Sequence, residues 1–203
     1  RERKLTPEER QECKKFSKLA DAFTPLAKGM NSEFANQNAY DSIQVHGGSG
    51  FMMEYKCQQL YRDARITSIY EGTTQLQTVA AIRYVTNGTY MSVIRDYEAI
   101  PVAEEYEGYM RRIKEMASKL EAVTNAVKDA NDQELLDFCA RKLYEMTAYT
   151  IMCHLLLQDT QKAPEMFAAS LNVFVNHAES EVEKHFNYIR KMDAAQLANY
   201  RKA

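Results

Sequence analysis

Proline and glycine are scarce in this chain, four and seven among 203 residues. So few helix breakers, set between long runs of helical apolar period, favour an all-α fold. No run of about 18 apolar residues occurs, which argues against a transmembrane helix. The opening stretch RERKLTPEERQECKKF lacks the apolar core of a signal peptide. Cysteine is limited to Cys13, Cys57, Cys139 and Cys153, with no C-x-x-C spacing, which speaks against a zinc ribbon. The four read as thiols of a reducing cytoplasm. The net charge of −2 and a pI near 6.2 carry no sign of a nucleic-acid footprint. Neither an internal repeat nor a low-complexity linker is present.

What is there is mostly helix signal. Thr6-Pro7-Glu8-Glu9 supplies an N-cap, a first-position proline and first-turn acids. Phe16, Leu19, Ala20 and Phe23 follow at helical spacing. Thr24-Pro25 predicts an interruption, after which Leu26 to His46 forms a second run. Gly47-Gly48-Ser49-Gly50 ends it, as a helix C-cap and turn or as a place of close approach. The string lacks the Lys-Ser/Thr of a phosphate-binding loop. Met53 to Arg65 reads as a short helix. Thr74 with Gln77 has capping-box spacing and predicts a helix start, with Leu76, Val79, Ala80 and Val85 as its buried stripe. Asn87-Gly88 stops that helix, and Tyr90 to Ile100 forms another, ended by Pro101.

Three long runs follow. The first is Glu104 to Asp129. Asn131 with Glu134 predicts the start of the second, Gln133 to about Gln158, which is apolar nearly all round from Met146 to Leu157. A helix of that kind belongs in the centre of a bundle. Pro164 opens the third, through Ile189, and Ala194 to Tyr200 reads as a short last segment. The expectation is therefore an all-α chain: an up-and-down helical bundle in residues 1–100, and an appended antiparallel helical bundle in residues 101–203.

The chemistry-bearing stretch is YRDARITSIYEGTTQLQ, Tyr61 to Gln77. Glu71 falls in a tight connection between two helices, where backbone N–H groups lack helical partners. That suits a general base beside a polarising donor, and it equally suits a plain cap. On the residues alone, Tyr70 reads as a core aromatic, Thr73 as an N-cap at a helix start that would favour an anion, and Gln75 as a surface residue. Arg62, Asp63 and Arg65 are expected to brace the loop as a salt-bridged set. His46 reads as structural, and His154, His177 and His185 as surface or satisfied histidines. No metal-ligand set is apparent.

The blocks QVHGGSGF, YRDAR and IYEGTTQLQ, in this order between Gln44 and Gln77, resemble the C-terminal domain of the acyl-CoA dehydrogenase family. The similarity extends more loosely from about Leu19 to about Gly88. Beyond it lies a helical extension such as some bacterial members carry. The resemblance implies FAD-dependent α,β-dehydrogenation of acyl-CoA thioesters to trans-2-enoyl-CoA. It makes Glu71 the catalytic base, with its own N–H polarising the thioester oxygen. It places Thr73 and Gln75 on the FAD, and Gln44, Gly47 and Gly48 on the FAD of a neighbouring subunit, so that the active form is a homo-oligomer. Tyr70 and Gly72 are implied to face the substrate. Electron-transfer flavoprotein is the implied acceptor partner, with an acyl-CoA oxidase as the near rival reading. The family carries a helical and a β domain before this region, and the chain opens at Arg1 within charged helix-like sequence. It is therefore expected to be a C-terminal piece, which by itself would not retain FAD and would be an inactive helical assembly module.

Overall fold

The structure, a computed structural model, describes residues 5–192 together with 195 and 197. Among these residues there is no strand, and the fold is all-α as expected. The chain divides into two compact units, Arg1–Ala81 and Ile82–Ala203. The division falls inside a helix. The expected boundary at Pro101 instead marks the stretch after the helix that ends at Glu98.

The first unit is built on α1, Pro7–His46. Its start is a reciprocal capping box: the Glu9 N–H donates to Thr6 Oγ1 at 3.2 Å, and the Thr6 N–H donates to Glu9 Oε2 at 2.8 Å. The interruption expected at Thr24-Pro25 does not occur, and α1 continues for 40 residues through Pro25. Proline removes one helical N–H, yet the ring of Pro25 is buried, and the Thr24 hydroxyl donates back to the Ala20 carbonyl at 2.8 Å. Burial thus outweighs the local penalty. A four-residue helix α2 (Gly48–Phe51) and α3 (Cys57–Thr67) pack against α1. The start expected at Met53 is shifted, because residues 52–56 form turns and bends. Asn36 ties α1 to α3, its Nδ2 donating to the Ala64 carbonyl at 3.1 Å.

Helix α4, Thr74–Thr86, buries a different face from the one expected. Thr78 and Ala81 are fully buried and Thr74 nearly so, while Leu76 and Val79 are 57% and 56% exposed. Ala80 is also exposed, and only Val85 of the expected stripe lies inside. Threonine tolerates that face because each hydroxyl is bonded. Thr78 donates to the Thr74 carbonyl at 3.0 Å, and Thr74 to Glu33 at 2.6 Å.

The second unit contains α5 (Thr89–Glu98), a 3₁₀ turn (Glu104–Tyr106), α6 (Glu107–Asp129), α7 (Gln133–Lys162) and α8 (Pro164–Arg190). Helices α6, α7 and α8 pack against one another, and α5 packs on α6 and α7. Arg112 meets Glu179 and Lys119 meets Glu183, so α6 and α8 run parallel, with α7 antiparallel between them. The cap of α7 is Asp132, one residue later than expected, accepting from the Glu134 and Leu135 N–H groups. Asn131 instead takes φ 47°, the left-handed residue of the turn.

Helix α7 is the central element that its composition predicts. Leu143, Met146, Ile151, Cys153 and Leu157 are all at most 2% exposed. A fully buried Leu, Ile or Met contributes about 1.5–3 kcal/mol each. The half-exposed pairs Arg112–Glu179 and Arg95–Glu121 contribute less, on the order of 0–1 kcal/mol. The buried hydroxyls of Thr147, Thr150 and Thr160 each bond the carbonyl four residues back. All four cysteines are free. No helix among the described residues is long and apolar enough to cross a membrane. The expected segment Ala194 to Tyr200 lies largely outside the described residues.

The histidine reading needs correction at one position. His185 is buried, with Nε2 2.8 Å from Glu145 Oε2. His177 is exposed, as expected. His154, however, is 1% exposed, and neither ring nitrogen has a hydrogen-bond partner among the described residues. Burial, and secondarily the positive charge of Lys114, lower its pKa to about 4. The unfolded chain takes up the His154 proton near pH 6.5, and the folded chain only near pH 4. Stability is therefore full above about pH 6.5 and declines as the pH falls towards 4. Urea titrations at pH 7 and pH 5 check this: His154→Leu is expected to flatten the loss between the two and to cost little at pH 7, where no hydrogen bond is removed.

Candidate functional site

The loop from Ser68 to Thr73 joins α3 to α4. Helix α3 closes with the Ile69 and Tyr70 N–H groups both donating to the Ile66 carbonyl, at 2.9 and 3.0 Å. Two left-handed residues follow, Glu71 at φ 50° and Gly72 at φ 93°. The chain then turns into α4, and the Thr74 N–H reaches back to the Ser68 carbonyl at 3.2 Å. The helix cap is Thr73, one residue before the expected Thr74, its Oγ1 accepting from the Leu76 N–H at 3.3 Å. The Gln77 side chain does not complete a capping box with Thr74. It donates instead to the Gly72 and Glu71 carbonyls, at 3.2 and 3.4 Å.

Two side chains of α1 hold this loop, and both escaped the sequence reading. Lys28 Nζ donates to the Gly72 carbonyl at 2.6 Å and stands 5.8 Å from the Tyr70 ring centroid. Glu33 Oε1 accepts from the Thr74 hydroxyl at 2.6 Å. No local spacing links Lys28 to a residue 44 positions away. The expected salt-bridged brace does not form. Among the described residues, Arg62 and Asp63 make no ion pair, and Arg65 hydrogen-bonds the Ser68 hydroxyl instead. Ser68, the C-cap of α3, lies three residues on from Arg65.

Glu71 itself is exposed, as are Tyr70, Thr73 and Gln75, with Gly72 half-buried. Among the described residues nothing accepts from the N–H groups of Glu71, Gly72, Thr73 and Gln75. The loop thus presents one carboxylate beside several unengaged backbone donors. That arrangement can take a proton with the carboxylate and stabilise a developing negative charge with the amides.

Gln44, Gly47 and Gly48 lie elsewhere on the same unit. At the helical rise, Gln44 stands about 16 Å beyond Glu33 along α1. The Gly47 N–H caps α1 through the Gln44 carbonyl at 3.1 Å, and its φ of 58° suits glycine. Gly50 is tight: a Cβ there would meet the Ile43 carbonyl oxygen at 2.6 Å. Gly48 faces open space, so nothing within the chain requires glycine there. His46 is structural, with Nδ1 2.8 Å from the Ser42 carbonyl oxygen and 3.4 Å from Cys57 Sγ. No group of three metal-ligating side chains exists among the described residues.

Comparison with known proteins places both units. Residues 9–85 match the family described as "Acyl-CoA dehydrogenase, C-terminal domain", and residues 86–197 match "Acyl-CoA dehydrogenase C terminal". The chain is 41% identical over 64 residues to an acyl-CoA dehydrogenase of Bacillus subtilis, covering 32% of this chain and 17% of that protein. A crystal structure of an acyl-CoA dehydrogenase family protein from Porphyromonas gingivalis matches at 36% identity and TM-score 0.53, over 56% of this chain and 98% of that one. The fold alone is shared with an acyl-CoA dehydrogenase from Bacillus anthracis complexed with FAD, at TM-score 0.67 and 20% identity, over 88% of this chain and 34% of that one. This chain belongs to the acyl-CoA dehydrogenase family. Its matches span less than a fifth of the length of the curated relatives.

The backbone at Gly72 yields a direct prediction. A Cβ there would lie 2.8 Å from Gln77 Nε2, on a residue at φ 93°. Gly72→Ala is expected to cost about 1–3 kcal/mol in urea unfolding followed by circular dichroism. Adding Gln77→Ala should not restore stability, because the backbone strain remains.

Proposed function

We propose that this chain is the base-bearing C-terminal part of an FAD-dependent acyl-CoA dehydrogenase that converts acyl-CoA thioesters to trans-2-enoyl-CoA. One observation carries the reading: an exposed carboxylate, Glu71, sits on a pinned left-handed loop beside its own unengaged N–H. The α-proton of a saturated thioester is weakly acidic. It becomes removable when the thioester oxygen accepts hydrogen bonds, and the Glu71 N–H is the donor in position to supply one. The Glu71 carboxylate takes the proton. Tyr70 and Gly72 flank the base on the substrate side.

The residues present suit a flavin dinucleotide. Thr73 and Gln75 are exposed at the start of a 13-residue helix with unengaged backbone donors, which suits a pyrophosphate. Gln44, Gly47 and Gly48 are exposed, with open space at Gly48. Their separation from Thr73 along α1 supports contact with a second copy of the cofactor, in a homo-oligomer. Bound FAD supplies the two-electron acceptor for the β-hydrogen, which leaves as hydride. Exposed Leu76, Val79, Ile66, Ile69 and Met53 support burial against further protein, either the rest of the enzyme or a second subunit. Electron-transfer flavoprotein is the proposed acceptor partner. The region from residue 101 onward is a scaffold in this reading, supported by cross-helix pairs such as Arg112–Glu179 and Lys119–Glu183.

The test of the base is Glu71→Gln in the full-length enzyme. Turnover is expected to fall by on the order of 10²–10⁴ with flavin still bound. Near-normal turnover would move the base elsewhere. Separately, these few contacts are too sparse to order a large cofactor alone. The purified 203-residue chain is expected to stay colourless on FAD addition, and a stoichiometric yellow complex would contradict this.

A further inference from the structure

The loop bearing Glu71 is held from outside by charge, and we infer that Lys28 is a positioning residue for the proposed α-proton abstraction. The inference rests on Glu71 being the base. Both left-handed residues lie between the end of α3, where the Tyr70 N–H donates to the Ile66 carbonyl, and the Gly72 carbonyl held by Lys28, with Glu33 on the Thr74 hydroxyl just beyond. Lys28 and Glu33 stand about 7.5 Å apart along α1. Both ties therefore come from one helix.

The choice of a lysine has a physical consequence. An ammonium on a carbonyl makes a charge-assisted bond, about twice as strong as a neutral one. The Gly72 carbonyl belongs to the peptide that follows the Glu71–Gly72 pair, and its direction depends on the Gly72 backbone angles. Fixing it selects the left-handed arrangement over the extended one that Glu71 would otherwise prefer. Gln77 is the second donor to the same oxygen, but it is neutral and its bond is longer, 3.2 Å against 2.6 Å. The Tyr70 ring beside Nζ limits where the ammonium can go. Loss of Lys28 therefore leaves Glu71 covalently intact and chemically competent, but sampling more than one orientation. A misplacement of about 1 Å in a reacting group can cost on the order of 100-fold in rate.

The experiment uses the full-length flavoenzyme with Lys28→Ala, Lys28→Met and Lys28→Arg, beside Glu71→Gln. The readouts are kcat, KM, flavin content and the deuterium isotope effect at the substrate α-carbon. The expected result is a fall in kcat of roughly 10- to 100-fold in Lys28→Ala and Lys28→Met. KM should stay within a few-fold, flavin should remain bound, and the α-isotope effect should rise. Lys28→Arg should recover most of kcat. The positioning role is overturned by unchanged kcat in Lys28→Ala, by a change in KM alone, or by an arginine variant no better than alanine. Loss of flavin from all three variants also overturns it, because the residue is then only a fold contact. Retained turnover in Glu71→Gln would instead refute the base assignment, an outcome read independently of any lysine variant.

Discussion

Glu71 adopts φ 50°, a conformation that costs a residue with a Cβ on the order of 1–2 kcal/mol. The remainder of the first unit is arranged so that this cost is met. Lys28 and Gln77 take the Gly72 carbonyl, Glu33 takes the Thr74 hydroxyl, and the Thr74 N–H closes the loop on Ser68. A loop so bonded has few alternatives, and a carboxylate on it has one location. The ends of the loop are satisfied while the amides at its tip are left unengaged. That is the polarity a proton-abstracting site needs, because unengaged donors are available to a substrate oxygen and satisfied ones are not.

The two units spend their apolar residues differently. In the second unit, the apolar faces of α6, α7 and α8 close on one another, and α7 is buried nearly all round through its middle. The hydroxyls of Thr147, Thr150 and Thr160 enter that core bonded to their own helix. His154 enters it with no hydrogen-bond partner among the described residues, and its depressed pKa is the physical sign of that. In the first unit, large side chains on α2 to α4 stay exposed while threonines occupy the inward face of α4. A bundle that exposes leucine and buries threonine is shaped by something other than its own hydrophobic closure. In α4 that influence is the hydrogen bonding that fixes the helix start beside Glu71.

Much of this was legible in order along the chain. The Thr6-Pro7 start, the Gly47 stop, the three long runs and the central place of Met146 to Leu157 all rest on local rules: capping, left-handed glycine, and apolar residues all round a helix. These depend on residues within a turn or two of each other. Glu71 was legible as a loop carboxylate for the same reason, and the ordered blocks around it carried the family resemblance.

What only the tertiary structure decided depended on contacts between distant positions. Pro25 did not break α1, because its ring is buried and a breaker's penalty of about 3 kcal/mol can be outweighed by packing that no window reveals. The buried face of α4 was misread because periodicity records which residues are apolar, and the ties to α1 dictate which side turns inward. Lys28 and Glu33 carry no local signal of their role, because their partners lie 44 and 41 residues away. The sequence by itself determined the helices and the loop that carries the carboxylate. The fold alone decided how that loop is held, because the groups that hold it meet only once α1 and the start of α4 lie side by side.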